Sequence, residues 1–73
     1  SRKFKQETGQ SVTDFINLKR VESAKLYLQS GQKSITEVAF MVGFNDVNYF
    51  SRVFKKVTSM TPSQFMKEVN KED

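Results

Sequence analysis

The chain has 73 residues, which suits one small domain, and it contains neither cysteine nor histidine. These two absences exclude disulfide bonds, thiolate or imidazole metal sites and imidazole bases. No pair of acids is spaced as a general acid/base couple, and a lone Lys or Ser without a base is normally inert, so we predict a non-enzymatic protein without a cofactor or metal. Twelve Lys and Arg against eight Asp and Glu give a net charge of +4, which favours a polyanionic partner, either nucleic acid or an anionic membrane surface.

The chain begins with a short polar segment. Residues 1–8 surround a single apolar residue, Phe4, and are followed by Gly9. Glycine is favoured directly after the last residue of a helix, because it adopts positive φ at little cost. We therefore predict a short helical segment over residues 1–8.

A long helix is predicted over residues 12–29. Ser11 or Thr13 can cap its first turn, since a side-chain oxygen there accepts a hydrogen bond from a free backbone N–H. Apolar residues recur at helical steps, and we expect them to form its buried face. These residues are Val12, Phe15, Ile16, Val21, Ala24, Tyr27 and Leu28.

Two shorter helices joined by a tight turn are predicted over residues 34–57. Ser34 and Glu37 have the spacing of a capping box at the start of the first helix. Ala39 is small where two steeply crossed helices must approach closely, and Gly43 permits a turn with positive φ. The first helix is expected to bury Ile35, Val38, Ala39 and Val42.

The second helix of this pair has two unlike faces. Asn45 or Asp46 can cap it, and it is expected to reach about Lys56. Its apolar stripe, expected in the core, consists of Tyr49, Phe50, Val53, Phe54 and Val57. The other face is predicted to present Val47, Asn48, Ser51, Arg52 and Lys55.

A last helix is predicted over residues 61–69. Thr61 can cap it, and Pro62 suits the first helical position because its missing N–H is not needed there. Phe65 and Val69 are expected to face inward.

The outward face of the helix over residues 46–56 carries the chemistry of a major-groove contact. Arginine bonds guanine O6 and N7, asparagine bonds adenine N6 and N7, and a valine methyl can touch the thymine methyl. Lys55 and Lys56 lie farther along, where they can meet phosphates. Such residues also fit an ordinary solvated face, but the Ala39–Gly43 spacing and the lack of acids from Val47 to Lys56 favour DNA binding.

These stretches resemble a known family. Over residues 2–65 the chain is similar to the C-terminal DNA-binding domain of AraC/XylS-type bacterial transcription regulators. The similar stretches are SRKFKQETGQS, RVESAKLYL, SITEVAFMVGFNDVNYFSRVFKK and MTPSQF. The resemblance implies an all-α, homeodomain-like bundle of two helix-turn-helix units joined by the long helix. We expect four full helices and an N-terminal helical remnant. We also expect the first two helices of the family's domain to be missing before Ser1.

The resemblance also implies a function and its residues. The chain would be the sequence-specific DNA-binding output domain of a cytoplasmic regulator, with an upstream sensor or dimerisation domain in the same polypeptide and RNA polymerase as a further partner. No membrane partner is expected. The residues expected to contact DNA are Ser1, Arg2 and Lys5 of the first recognition helix, Ser34 at a helix start, and Val47, Asn48, Ser51, Arg52, Lys55 and Lys56 of the second.

The sequence also allows other interpretations. Phe40 and Met41 are expected to be partly exposed, which would suit a small helical protein-interaction module. RNA binding is less favoured because exposed aromatic platforms are not evident. On the long helix, Arg20 could approach DNA, although Lys19 and Arg20 are expected to form intramolecular ion pairs such as Lys19 with Glu22.

Overall fold

The structure is a computed structural model that describes residues 11–70. Over these residues the chain forms helices and no strand, so the all-α fold class is confirmed. The helical segment predicted over residues 1–8, with Gly9 after it, lies outside the described residues. The helices are α1 (Val12–Ser30), α2 (Ile35–Met41), α3 (Val47–Thr58) and α4 (Pro62–Val69).

Local side-chain caps determine where the helices begin. Ser11 Oγ accepts from the Asp14 N–H at 3.0 Å and starts α1. The predicted capping box at α2 is confirmed, because the Ser34 N–H donates to Glu37 Oε1 at 2.9 Å and the Glu37 N–H donates to Ser34 Oγ at 3.1 Å. The N–H of Ser34 holds the pKa of Glu37 below its ordinary value.

The last helix starts in the same way. Thr61 caps α4 as predicted, with Pro62 at its first position. Gln64 completes a second capping box, since its N–H donates to Thr61 Oγ1 at 3.1 Å and its Oε1 accepts the Thr61 N–H at 3.0 Å. The start of α4 is therefore specified within four consecutive residues.

The core lies where α2, α3 and α4 pack against α1. A row of rings runs through it, with centroid separations of 5.1 Å from Phe44 to Phe50, 5.7 Å from Phe50 to Phe54 and 5.4 Å from Phe54 to Phe65. Such tilted ring pairs are favourable beyond the area that they bury. The buried apolar residues are Val21, Ala24, Leu28, Val38, Ala39, Phe44, Phe50, Val53, Phe54 and Phe65.

Several residues predicted to be buried are instead exposed over 38–42% of their surface. They are Val12, Phe15, Ile16 and Tyr27 of α1, Tyr49 and Val57 of α3, and Val69 of α4. The face of α1 that is buried follows Asn17, Val21, Ala24 and Leu28, and Tyr27 lies about 100° round the helix from Leu28. In α4, Met66 packs against the core and Val69 lies in the last turn.

The outer surface of the molecule carries exposed apolar side chains on α2. Phe40 and Met41 of α2 are exposed over 54% and 46% of their surface, as predicted. None of the described helices is both long enough and apolar enough to cross a membrane.

Candidate nucleic-acid interface

The turn between α2 and α3 brings these helices together at close range. Gly43 has a φ of +110°, a conformation that side-chain-bearing residues rarely adopt. The Phe44 N–H then donates to the Ala39 carbonyl at 2.9 Å, and the Phe44 ring is 3% exposed. Ala39 is fully buried, as expected for a small residue at a close helix crossing. Helix α2, this turn and α3 together form a helix-turn-helix unit.

Helix α3 presents a row of polar and basic side chains opposite its buried rings. Phe50, Val53 and Phe54 face the core. Four of the predicted DNA-contacting residues are exposed: Asn48, Arg52, Lys55 and Lys56. Because Asn48 and Arg52 are four residues apart, they lie on the same side of the helix. The structure therefore brings these side chains to one accessible surface, which we call the α3 polar face.

Two other residues predicted on this face are less accessible. Val47 is half-buried and packs against the core, so only part of its surface lies on the outward side of α3. The reason is that Val47 begins α3 directly after the turn, where the chain still lies against the core. Ser51 is also half-buried. Both can offer only part of their surface to a ligand.

The charge on α3 has one sign. No acidic residue lies in Val47–Thr58, and Lys55 and Lys56 are in its last turn, where the helix dipole favours cations. Asp46 precedes the helix as its N-cap, and its Oδ1 accepts from the Asn48 N–H at 2.8 Å. Of the two cap candidates, Asp46 is therefore the one used, and its carboxylate satisfies a backbone donor of α3.

A hydrogen bond from α1 holds Tyr49, whose ring lies beside the Arg52 guanidinium of the α3 polar face. The Asn17 side-chain Nδ2 donates to the Tyr49 hydroxyl at 3.1 Å, and the Arg52 guanidinium carbon lies 6.0 Å from the centroid of the Tyr49 ring. A groove of about 460 Å³ separates the two helices here. The role of Asn17 could not be recognised from the sequence, because a polar residue on the buried side of a helix shows its role only when its partner across the fold is known.

Ser34 is exposed at the start of α2, but its polar groups are used within the capping box. Its N–H donates to Glu37 Oε1, and that carboxylate beside it would repel a phosphate. The structure thus gives no support to a phosphate contact at Ser34. Ser1, Arg2 and Lys5 lie outside the described residues.

The basic residues of α1 behave differently from one another. Lys19 pairs with Glu22 at 3.9 Å, as predicted. Arg20, for which an ion pair was also predicted, has no carboxylate within pairing distance anywhere in residues 11–70. Instead its guanidinium carbon lies 5.5 Å from the centroid of the Phe44 ring. The prediction of an ion pair for Arg20 was therefore wrong, because the turn places an aromatic ring beside this side chain.

These features define the class of the protein. A small residue at the helix crossing, a glycine turn, an anchored phenylalanine and a second helix with a basic outer face make a DNA-binding helix-turn-helix domain of the type found in transcription regulators. The family model described as a helix-turn-helix domain matches residues 1–68. The chain belongs to the AraC-type helix-turn-helix family.

Curated relatives agree with this assignment. The chain is 47% identical over 64 residues to an HTH-type transcriptional regulator in the cgkA 5' region of Pseudoalteromonas carrageenovora, covering 88% of this chain and 37% of that protein. It is 37% identical over 70 residues to the HTH-type transcriptional activator RhaR of Salmonella arizonae, covering 96% of this chain and 25% of that protein. The chain thus spans about a quarter to somewhat over a third of these relatives. No solved structure matches the chain.

Proposed function

We propose that this chain is the sequence-specific, double-stranded DNA-binding output domain of a bacterial transcription regulator, with residues 46–56 as the recognition helix in the major groove. The observation that supports it most is the α3 polar face, which exposes Asn48, Arg52, Lys55 and Lys56 on a helix without acids. A major groove of B-DNA admits one α-helix, and these side chains match its base edges and phosphates.

Each residue of the face has its own role in this proposal. The Arg52 guanidinium donates to guanine O6 and N7, and the Asn48 amide forms hydrogen bonds with adenine N6 and N7. Lys55 and Lys56 contact phosphates, which position the helix without selecting a sequence. Ser51 and Val47 add smaller contacts through the part of their surface that is exposed. By the family resemblance, Ser1 and Arg2 would approach bases and Lys5 a phosphate in a first recognition helix.

The proposal extends to the rest of the polypeptide. Since the relatives are about three to four times as long as the matched stretch, we propose that an upstream sensor or dimerisation domain controls this DNA-binding domain. RNA polymerase is a further proposed partner, and the cytoplasm is the proposed location because bacterial DNA is there. The role is one of binding, with no catalytic step.

The test begins with selection of tight-binding sequences from a pool of random duplexes. The selected duplex and a scrambled one are then titrated at salt concentrations from about 50 to 200 mM. DNA binding through several phosphates must weaken steeply over this range, because bound counterions are released. We expect a steep negative slope and tighter binding to the selected duplex. A small protein-interaction module using Phe40 and Met41 would instead bind neither duplex, and that result would overturn the proposal.

A further inference from the structure

Arg20 of α1 lies outside the helix-turn-helix unit, yet its guanidinium is held against the turn of that unit. Its guanidinium carbon is 5.5 Å from the centroid of the Phe44 ring. A Cβ atom added at Gly43 would be only 2.9 Å from Arg20 Nε, so the side chain packs directly over the glycine. Stacking of this kind orients the planar guanidinium and limits its rotamers before any ligand binds.

The oriented donors of Arg20 have no acceptor in the part of the chain that the structure describes. A guanidinium has five N–H donors and accepts nothing. Within residues 11–70 no hydrogen bond and no ion pair involves the Arg20 side chain. Since no side-chain polar atom in these residues is buried without a partner, the Arg20 nitrogens must each reach solvent. An ion pair within the fold therefore does not account for the position of this half-buried cation.

The surroundings of Arg20 place it beside the proposed DNA surface. It lines a concavity of about 330 Å³ together with Gly43, Phe44, Tyr49 and Arg52. Asn45 and Asp46 complete the lining. Asp46 is the single acid in it, and its Oδ1 already accepts the Asn48 N–H at 2.8 Å. Two guanidinium groups from different helices thus open onto the same hollow at the start of α3.

We propose that Arg20 binds a backbone phosphate of the DNA whose major groove receives α3, so that α1 supplies a phosphate contact to the interface. This inference rests on the proposed function. The fork of a guanidinium matches two oxygens of a phosphate, and a charge-assisted bond of this type fixes the register of a protein on the duplex. Arg52, which shares the hollow, remains directed at the base edges.

The test compares Arg20→Gln with Lys25→Gln, which removes the same charge from the same helix at a residue that does not line the hollow. Both variants are titrated on the selected and the scrambled duplex from about 50 to 200 mM salt, after their thermal melting has been recorded. For Arg20→Gln we expect about tenfold weaker binding to both duplexes, the equivalent of one charge-assisted hydrogen bond. The magnitude of the salt slope should fall by about 1. Lys25→Gln should keep the wild-type slope.

A second variant keeps the test decisive if Arg20→Gln does not fold. Arg20→Lys retains the charge but loses the stacked, two-pronged fork, and we expect weaker binding to both duplexes with a nearly unchanged slope. Folded variants that bind as tightly and with the same slope as wild type would overturn the inference. If wild type binds with a steep slope while Arg20→Gln behaves like Lys25→Gln, only this inference fails. If wild type binds neither duplex, the proposed function fails.

Discussion

The Asn17 side-chain amide of α1 donates a hydrogen bond to the Tyr49 hydroxyl of α3 across 3.1 Å. Asn17 is 8% exposed and is the one buried polar residue in the described part of the chain, whereas Tyr49 keeps 39% of its surface exposed. The Tyr49 ring also lies edge-on to Phe44, with centroids 5.9 Å apart. Tyr49 therefore connects the long helix, the turn and the guanidinium of Arg52.

Replacing Tyr49 with Phe tests this connection. The change leaves the ring in place and removes the acceptor of a buried amide, so we expect a loss of about 1 kcal/mol in the free energy of unfolding. Urea unfolding monitored by circular dichroism measures it. Tyr27→Phe is the matched control, because Tyr27 lies on the exposed side of α1. Equal stability of the two variants would contradict a structural role for the Asn17–Tyr49 bond.

Arg52→Ala tests base contact by the α3 polar face. We expect it to cost about 1–3 kcal/mol on the selected duplex and less on a scrambled one, so that sequence preference is reduced. Arg52→Lys keeps the charge but not the two-pronged geometry, and it should lose preference while retaining the salt slope. Fluorescence anisotropy on both duplexes gives the affinities. Unchanged preference in both variants would remove Arg52 from the base-contacting set.

Lys55→Ala is expected to act on all sequences alike. Lys55 is exposed in the last turn of α3, where a phosphate contact would contribute affinity and salt dependence but no sequence choice. The magnitude of the salt slope should decrease by about 1, with a similar loss on selected and scrambled duplexes. Lys67→Ala removes the corresponding lysine from the last turn of α4 and serves as control. A loss confined to the selected duplex would argue against a phosphate contact.

Gly43→Ala should be much more harmful than Gly31→Ala. At Gly43 the φ of +110° strains any residue with a side chain, and a methyl group 2.9 Å from Arg20 Nε would displace the end of the Arg20 side chain. At Gly31 the φ is +71° and the nearest atom, Asn70 Oδ1, would lie at an ordinary 3.6 Å. We expect about 1 kcal/mol of destabilisation for Gly31→Ala and about 1–3 kcal/mol more for Gly43→Ala. Thermal melting compares them, and equal losses would show that the turn tolerates a side chain.

The capping box at α2 makes stability depend on pH through Glu37. The Ser34 N–H lowers the pKa of Glu37 from its ordinary 4.5, so the folded state favours the carboxylate. This contribution is present above the pKa of the unfolded chain and is lost as the pH falls through the lower folded pKa. We expect wild type to be more stable than Glu37→Gln at pH 7, with the difference shrinking in acid. Urea unfolding of both proteins from about pH 7 to pH 3 measures this difference in the free energy of unfolding. The contributions of the other carboxylates cancel, because both proteins contain them. A difference that does not change with pH would contradict this prediction.

Short-range features of this fold could be predicted from the sequence. The Ser34–Glu37 box, the Thr61–Pro62 start and the Gly43 turn depend on hydrogen bonds and dihedral angles within a few residues, and each is present in the structure. The same holds for the polar outer face of α3, since helical spacing alone separates Asn48 and Arg52 from the buried rings.

The helices, their caps and the family of the domain thus follow from local features of the sequence. Which apolar residues are covered depends on the packing between helices, because helical spacing identifies a face but not the neighbour that packs on it. Tyr27 was misplaced for this reason. The partners of Asn17 and Arg20 were decided in the same way, since Tyr49 and Phe44 reach them only after residues far apart in the chain are brought together.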